Sequence, residues 1–122
     1  MEFDAGKTWV SLVAIIDGTT SLYFGSGGGI IGAGKSEIVR KANHLFLEVA
    51  SQFVNRFAKA QSYPTPQPDK ARFYLLTLDG VRASDEVDES ALQERGNALC
   101  PLYVAAQNVI TQIRVVQGKQ KR

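Results

Sequence analysis

The sequence predicts an α+β fold of two ββα halves, with a four-stranded antiparallel sheet covered on one face by two long helices. Three observations carry this expectation. Asp17-Gly18 and Asp79-Gly80 each divide one apolar or β-branched run from a second, the arrangement of a tight hairpin. Apolar residues at Val39, Ala42, Phe46, Val49, Phe53 and Phe57 recur at helical spacing, and Leu102, Val109, Ile113 and Val116 do so again near the end. Each set reads as one stripe of an amphipathic helix. Between the halves stand Pro64, Pro66 and Pro68, and proline at alternate positions favours an extended connector, here residues 62–69.

In chain order, residues 8–16 are nearly unbroken apolar sequence rich in Val and Ile, too short for a helix and suited to a strand. Asp17-Gly18 supplies the turn, and residues 19–24 supply the return strand. Glycines crowd residues 25–34. A helix is expected over residues 37–60, with Ser36 placed to cap its start and Glu37 at the positive end of its dipole. After the connector, residues 71–78 read as a strand, Asp79-Gly80 as a turn and 81–85 as a shorter return strand. Asp88 is placed to cap a short helical piece through Glu94, and Gly96-Asn97 to break it. Pro101 suits the start of a closing helix over 102–116.

With 122 residues, 44% hydrophobic and 21% charged, the chain has the make-up of a single folded domain over 1–122. No apolar run is long enough for a membrane span. The acidic start, Met1-Glu2-Phe3-Asp4, is unlike a secretory leader. A lone cysteine, Cys100, excludes an internal disulfide, so the expected location is cytoplasmic. The net charge is +2, but Lys119, Lys121 and Arg122 stand in an end, residues 118–122, that is expected to fray; without these three the charge is −1. Such a body offers no basic face to nucleic acid. His44 is the only histidine and has no cluster of partners for a metal. Asp85, Glu86, Asp88 and Glu89 lack the ligand order and glycine of a calcium loop. No catalytic residue, metal or cofactor is assigned.

One motif names a chemistry. Gly29-Ile30-Ile31-Gly32-Ala33-Gly34-Lys35-Ser36 matches G-x-x-x-x-G-K-[ST] in full, after a strand-like run and before a helix-like one. In a P-loop, backbone N–H groups cradle phosphates, Lys35 neutralises their oxygens and Ser36 holds Mg²⁺; Asp79, ending a second strand, would stand for the acidic residue that helps hold the metal. Against this, a P-loop needs parallel strands and crossover helices, whereas Asp17-Gly18 makes the preceding pair an antiparallel hairpin. Ile30 and Ile31 suit a strand packed on a core. The glycines also suit a bulged strand end and a tight turn into the helix. Gly29, Gly32, Gly34, Lys35 and Ser36 are therefore carried as a candidate phosphate or nucleotide site beside a structural reading, with an anion at the helix start as a lesser form.

Both helices carry more apolar arc than one sheet can cover. Leu45, Leu47 and Val54 on the first, and Tyr103 and Ile110 on the second, are the candidate interface, most simply of a two-fold homodimer. The hairpin running from Trp9 to Phe24, its exit into a long amphipathic helix, and the second hairpin and helix resemble the roadblock family and its profilin-like relatives in pattern. The stretches Ser26-Gly27-Gly28-Gly29-Ile30-Ile31-Gly32, Arg72-Phe73-Tyr74-Leu75-Leu76-Thr77 and Val109-Ile110-Thr111-Gln112-Ile113-Arg114 resemble a family of small bacterial proteins of uncharacterised function. The roadblock resemblance implies a non-enzymatic, self-associating protein-interaction or scaffold module, whose partners in that family are often small GTPases.

Overall fold

The computed structural model describes residues 1–120. It is α+β, and every strand pair in it is antiparallel. In chain order the elements are β1 (Glu2–Asp4), β2 (Trp9–Ala14), β3 (Thr20–Phe24), β4 (Gly29–Ile30), a 3-10 turn (Ala33–Lys35), α1 (Glu37–Ser51), β5 (Ala58–Lys59), β6 (Lys70–Arg72), β7 (Tyr74–Thr77), β8 (Gly80–Ala83), β9 (Val87–Asp88), α2 (Glu89–Leu92) and α3 (Cys100–Gln120). The strands form two sheets in place of the expected single sheet of four: a six-stranded one ordered β4-β3-β2-β1-β6-β9 and a three-stranded one ordered β5-β8-β7.

The first hairpin follows the sequence pattern. Register pairs Val10 with Phe24, Leu12 with Leu22 and Ala14 with Thr20, and the next strands add Ile30 beside Leu22 and Phe3 beside Val10. With side chains alternating between faces, these residues share one face. Val10, Leu12 and Leu22 join the buried cluster that also holds Val39, Phe46, Leu102, Val109 and Ile113 of α1 and α3. No proline or glycine signal announces β1, yet it sits at the centre of the larger sheet, between β2 and β6.

The second hairpin departs from expectation. Residues 70–77 do not make one strand in one sheet; they change sheets at Phe73. Ala71 pairs with Val87 in the larger sheet, and Tyr74 pairs with Ala83 in the smaller. The return strand thus has one residue more than its partner between these pairs, which is the count of a β-bulge and bends the ladder. Ser84 serves as the pivot. Its backbone N donates to Phe73 O at 2.9 Å, its Oγ accepts from Phe73 N at 3.0 Å, and the same hydroxyl donates to Asp85 O at 2.9 Å.

The helices also differ in extent. α1 ends at Ser51 rather than near residue 60. Beyond it Gln52 N bonds to Val49 O, Phe53 N to Ala50 O and Arg56 N to Phe53 O, all i to i−3 contacts that tighten and end a helix. Phe53 and Phe57 stay buried, with rings stacked at 5.8 Å, and the chain turns into β5. α3 runs through Gln120, so Gly118, Lys119 and Gln120 belong to the helix; Lys121 and Arg122 lie outside the described residues. Residues 62–69 form neither helix nor strand. No described helix is long and apolar enough to cross a membrane.

The connector is tied down where it meets β6. Asp69 N donates to Asp4 Oδ2 at 3.0 Å, and Glu89 N donates to Asp69 O at 2.9 Å. Burial, with the Asp4 and Asp69 charges adding to it, raises the Glu89 carboxyl pKa. A carboxyl raised on folding contributes stability that is fully present below its unfolded pKa, near 4.3, and is lost as pH rises through the folded value. At neutral pH the ionised group is therefore a liability. Glu89→Gln is expected to raise the melting temperature at pH 7, with the gain shrinking to nothing toward pH 4. Melting curves of both proteins across that range check it; a gain that does not depend on pH would rule out this origin.

Candidate functional site

The P-loop-like segment lies on the turn of the first hairpin. That turn is closed by Ile15 N to Thr19 O and Gly18 N to Ile15 O, both 2.9 Å. Asp17 Oδ1 accepts from Thr19 N at 2.8 Å, and hydrogen bonds from Thr19 hold the Asp17 carboxyl below its ordinary pKa. The 3-10 turn crosses directly over it. A Cβ on Gly34 would lie 2.0 Å from Gly18 O and 3.2 Å from Thr20 N, so only glycine permits this approach. α1 then clasps both pieces. Arg40 Nε and Nη2 donate to Gly34 O at 3.2 and 3.0 Å. Asn43, fully buried, donates from Nδ2 to Ile15 O at 3.0 Å, and its Oδ1 has no hydrogen-bond partner.

The motif glycines thus meet the chain's own backbone. Gly29 stands in the β3–β4 ladder opposite Tyr23, where a Cβ would fall 2.6 Å from Leu22 O. Gly32 has φ +77°, the left-handed conformation that opens the 3-10 turn. Two N–H groups that a phosphate cradle would present are already bonded: Lys35 N to Gly32 O and Ser36 N to Ala33 O, both 3.2 Å. Ser36 is the N-cap residue of α1, but its hydroxyl makes no capping bond. The strand entering the motif, β4, is antiparallel to its neighbour. Asp79 is not brought to this segment. It sits at the tip of the β7–β8 hairpin, in the other sheet, with its N donating to Thr77 Oγ1 at 3.2 Å.

Two shallow clefts flank Lys35. One, about 400 Å³, lies between residues 31–36 and the far end of α3 and is lined by Ile31, Ala33, Lys35, Ser36, Ile113 and Val116. The other, about 370 Å³, is lined by Asp17, Gly18, Thr19, Gly34, Lys35 and Arg40. Lys35 is exposed and is the one charged residue common to both. His44 is exposed and Cys100 buried. Among the described residues no group of His, Cys, Asp or Glu could hold a metal ion.

The helical interface candidates divide. Leu45 is exposed, and Leu47 and Val54 are half-buried. Tyr103 and Ile110, expected on a free face, are instead part of the chain's own core. α3 packs against α1 within that core, so its buried arc is wider than one covering surface would make it.

Sequence reasoning missed a larger apolar face. In the three-stranded sheet, Tyr74 and Leu76 alternate onto one face of β7, and Leu78 follows in the turn. Register places Val81 opposite Leu76 and Ala83 opposite Tyr74, with Ala58 opposite Ala83 on the next strand. The opposite face turns Leu75 toward the core. The connector covers only the root of the apolar face: Tyr63 packs on Tyr74 with ring centroids 5.8 Å apart, and Tyr74 Oη donates to Pro64 O at 3.3 Å. Toward the tip Leu76 is 81% and Leu78 107% exposed. The signal was present in residues 73–78, Phe-Tyr-Leu-Leu-Thr-Leu: a hairpin arm apolar on both faces needs cover on both.

Comparison of the chain with protein-family models, with curated proteins and with solved structures finds no match.

The close approach of Gly34 sets a sharp expectation. Gly34→Ala must push backbone from backbone, and overpacking of this kind costs about 1–3 kcal/mol or more. Gly96→Ala, where a Cβ would meet nothing within 4 Å, should be neutral or stabilise by up to about 1 kcal/mol. Urea unfolding of the two variants against wild type makes the comparison; equal stabilities would show that the Gly34–Gly18 contact does not constrain the fold.

Proposed function

We propose that this chain is a non-catalytic protein-interaction module that self-associates. The single observation that carries the reading is the uncharged face of β7 and β8, ending in Leu76 and Leu78. Contiguous exposed apolar surface on a folded protein marks an interaction site. Burial of each leucine side chain contributes about 1.5–3 kcal/mol. Two leucines from each of two copies then stand against roughly 4–15 kcal/mol for lost freedom on association. Gain and cost are of similar size, so the leucines alone support at most a weak dimer. Leu45, exposed on α1, is a second and smaller patch. The pattern resemblance to roadblock proteins supports the same class of function, with a protein partner such as a small GTPase.

Sedimentation velocity over a wide range of protein concentration tests it. Wild type should move from monomer toward dimer, and the double variant Leu76→Asp with Leu78→Asp should stay monomeric while keeping its fold. A wild type that remains monomeric throughout would sink the proposal.

A second reading rests on Lys35. Because it borders both clefts, with Arg40 lining the second, a phosphate-bearing ligand at Gly29, Gly32, Gly34, Lys35 and Ser36 is the alternative. Thermal unfolding with and without inorganic phosphate or Mg-ATP separates the two. Ligand at 100 times its dissociation constant adds about 2.7 kcal/mol, and Lys35→Ala should abolish the shift. An unshifted wild type removes this alternative.

A further inference from the structure

β1 joins the two sides of the larger sheet: it lies between β2 and β6, with β4-β3-β2 on one side and β6-β9 on the other. Its pairing with β2 continues past Glu2 to Met1. Met1 O accepts from Leu12 N at 2.8 Å, and the Met1 amine donates to Leu12 O at 3.0 Å. The Met1 side chain is buried in the core cluster with Leu12, Leu22 and Phe73. A free α-amino group at Met1 is thus drawn into the apolar interior. Its ammonium form has three N–H donors, and Leu12 O is the acceptor that meets them among the described residues. No carboxylate among these residues forms an ion pair with it. Glu2, next in the chain, is the charged group that acts on it. β2 brings Ser11 and Leu12 beside this end of β1, and β6 brings Arg72, which stands opposite Glu2 and pairs with Glu86 at 3.9 Å. The described buried residues of the packed helices include no charged side chain.

We infer that the seating of β1 is a proton-releasing step, and that a free Met1 amine makes the joint of the larger sheet sensitive to acid. A charge moved from water into the core costs free energy unless it is paired and hydrogen-bonded. The uncharged amine keeps an N–H for Leu12 O and needs no counter-ion. Burial pushes the Met1 amine down from its usual 8.0 to about 6, with Glu2 pulling to a lesser extent the other way. Between these values the unfolded chain holds a proton that the folded chain has lost. Stability rises with pH wherever the unfolded state binds more protons. The contribution is therefore least below pH 6, grows between 6 and 8, and levels off above 8. The raised Glu89 carboxyl acts with the opposite sign, so it does not imitate this rise.

Urea unfolding of the chain with a free Met1 amine, from pH 5.5 to 8.5, should show the folding equilibrium constant rise about 50-fold, toward a limit of about 100-fold. His44→Gln, at an exposed position, takes histidine out of the reading and should leave the rise intact. Nα-acetylation converts the amine into an amide that keeps one N–H and takes up no proton. It should flatten the profile, chiefly by raising stability at the acid end. Where the acetyl group prevents folding, the amine itself decides. Met1 is the chain's one methionine, so a methionine labelled with nitrogen-15 reports that amine alone, and its NMR titration in the folded protein should centre near pH 6. A flat profile for the free amine, an amine that titrates at its usual 8.0, or a rise that survives acetylation overturns the inference.

Discussion

The contact on which most of the larger sheet depends is backbone against backbone, Gly34 lying over Gly18. With no side chain at Gly34, the 3-10 turn rests on the hairpin turn as closely as peptide groups allow. That position fixes where α1 begins and in which rotation. Arg40 can then reach back to Gly34 O and Asn43 can reach Ile15 O. The same rotation carries Val39, Ala42, Phe46 and Ala50 into the core. Interiors are close-packed and respond to one extra methyl group, so a small shift at Gly34 would be transmitted down the whole helix.

That contact also explains why a complete nucleotide-binding pattern can stand in an antiparallel hairpin. In a P-loop, glycines let backbone approach phosphate. Here Gly29 and Gly34 let backbone approach backbone, at Leu22 O and Gly18 O. The residue requirement is identical, since both uses demand the absence of Cβ. A string of letters does not separate them; strand direction does. The Asp17-Gly18 turn already gave that direction, because so short a connection joins only antiparallel neighbours.

Features set by local chemistry were legible in the sequence, and those set by pairing were not. The Asp17-Gly18 turn, β2, β3, the start of α1 at Glu37 and the buried stripe Leu102, Val109 and Ile113 follow from spacing alone, whereas the second turn falls at Leu78-Asp79, one residue before the expected Asp79-Gly80, with Gly80 already paired to Thr77 in β8. The end of α1 did not, because Phe53 and Phe57 keep helical spacing while burying from a series of tight turns. The change of sheet at Phe73 was hidden for another reason. Residues 71–77 alternate without interruption, and the extra residue that bends them sits on the opposite strand. Tyr103 and Ile110 were assigned to a free face by reckoning α3 against one covering layer, where the fold supplies α1 as well as sheet.

The second hairpin is the place where local and global demands remain unreconciled within one chain. Its inner face is bound to the core through Ala71, Phe73 and Leu75, so neither the register nor the bend can change to hide the outer face. The connector could have covered that face, but its three prolines keep it extended, and Tyr63 and Pro64 reach only Tyr74. Leu76 and Leu78 therefore stand in water because the same residues that stabilise the monomer fix them there. Proteins that gain nothing from such a surface replace it with charge at little cost, since exposed positions tolerate substitution. An apolar edge held open by the geometry of its own core is the observation on which the proposed interaction role rests.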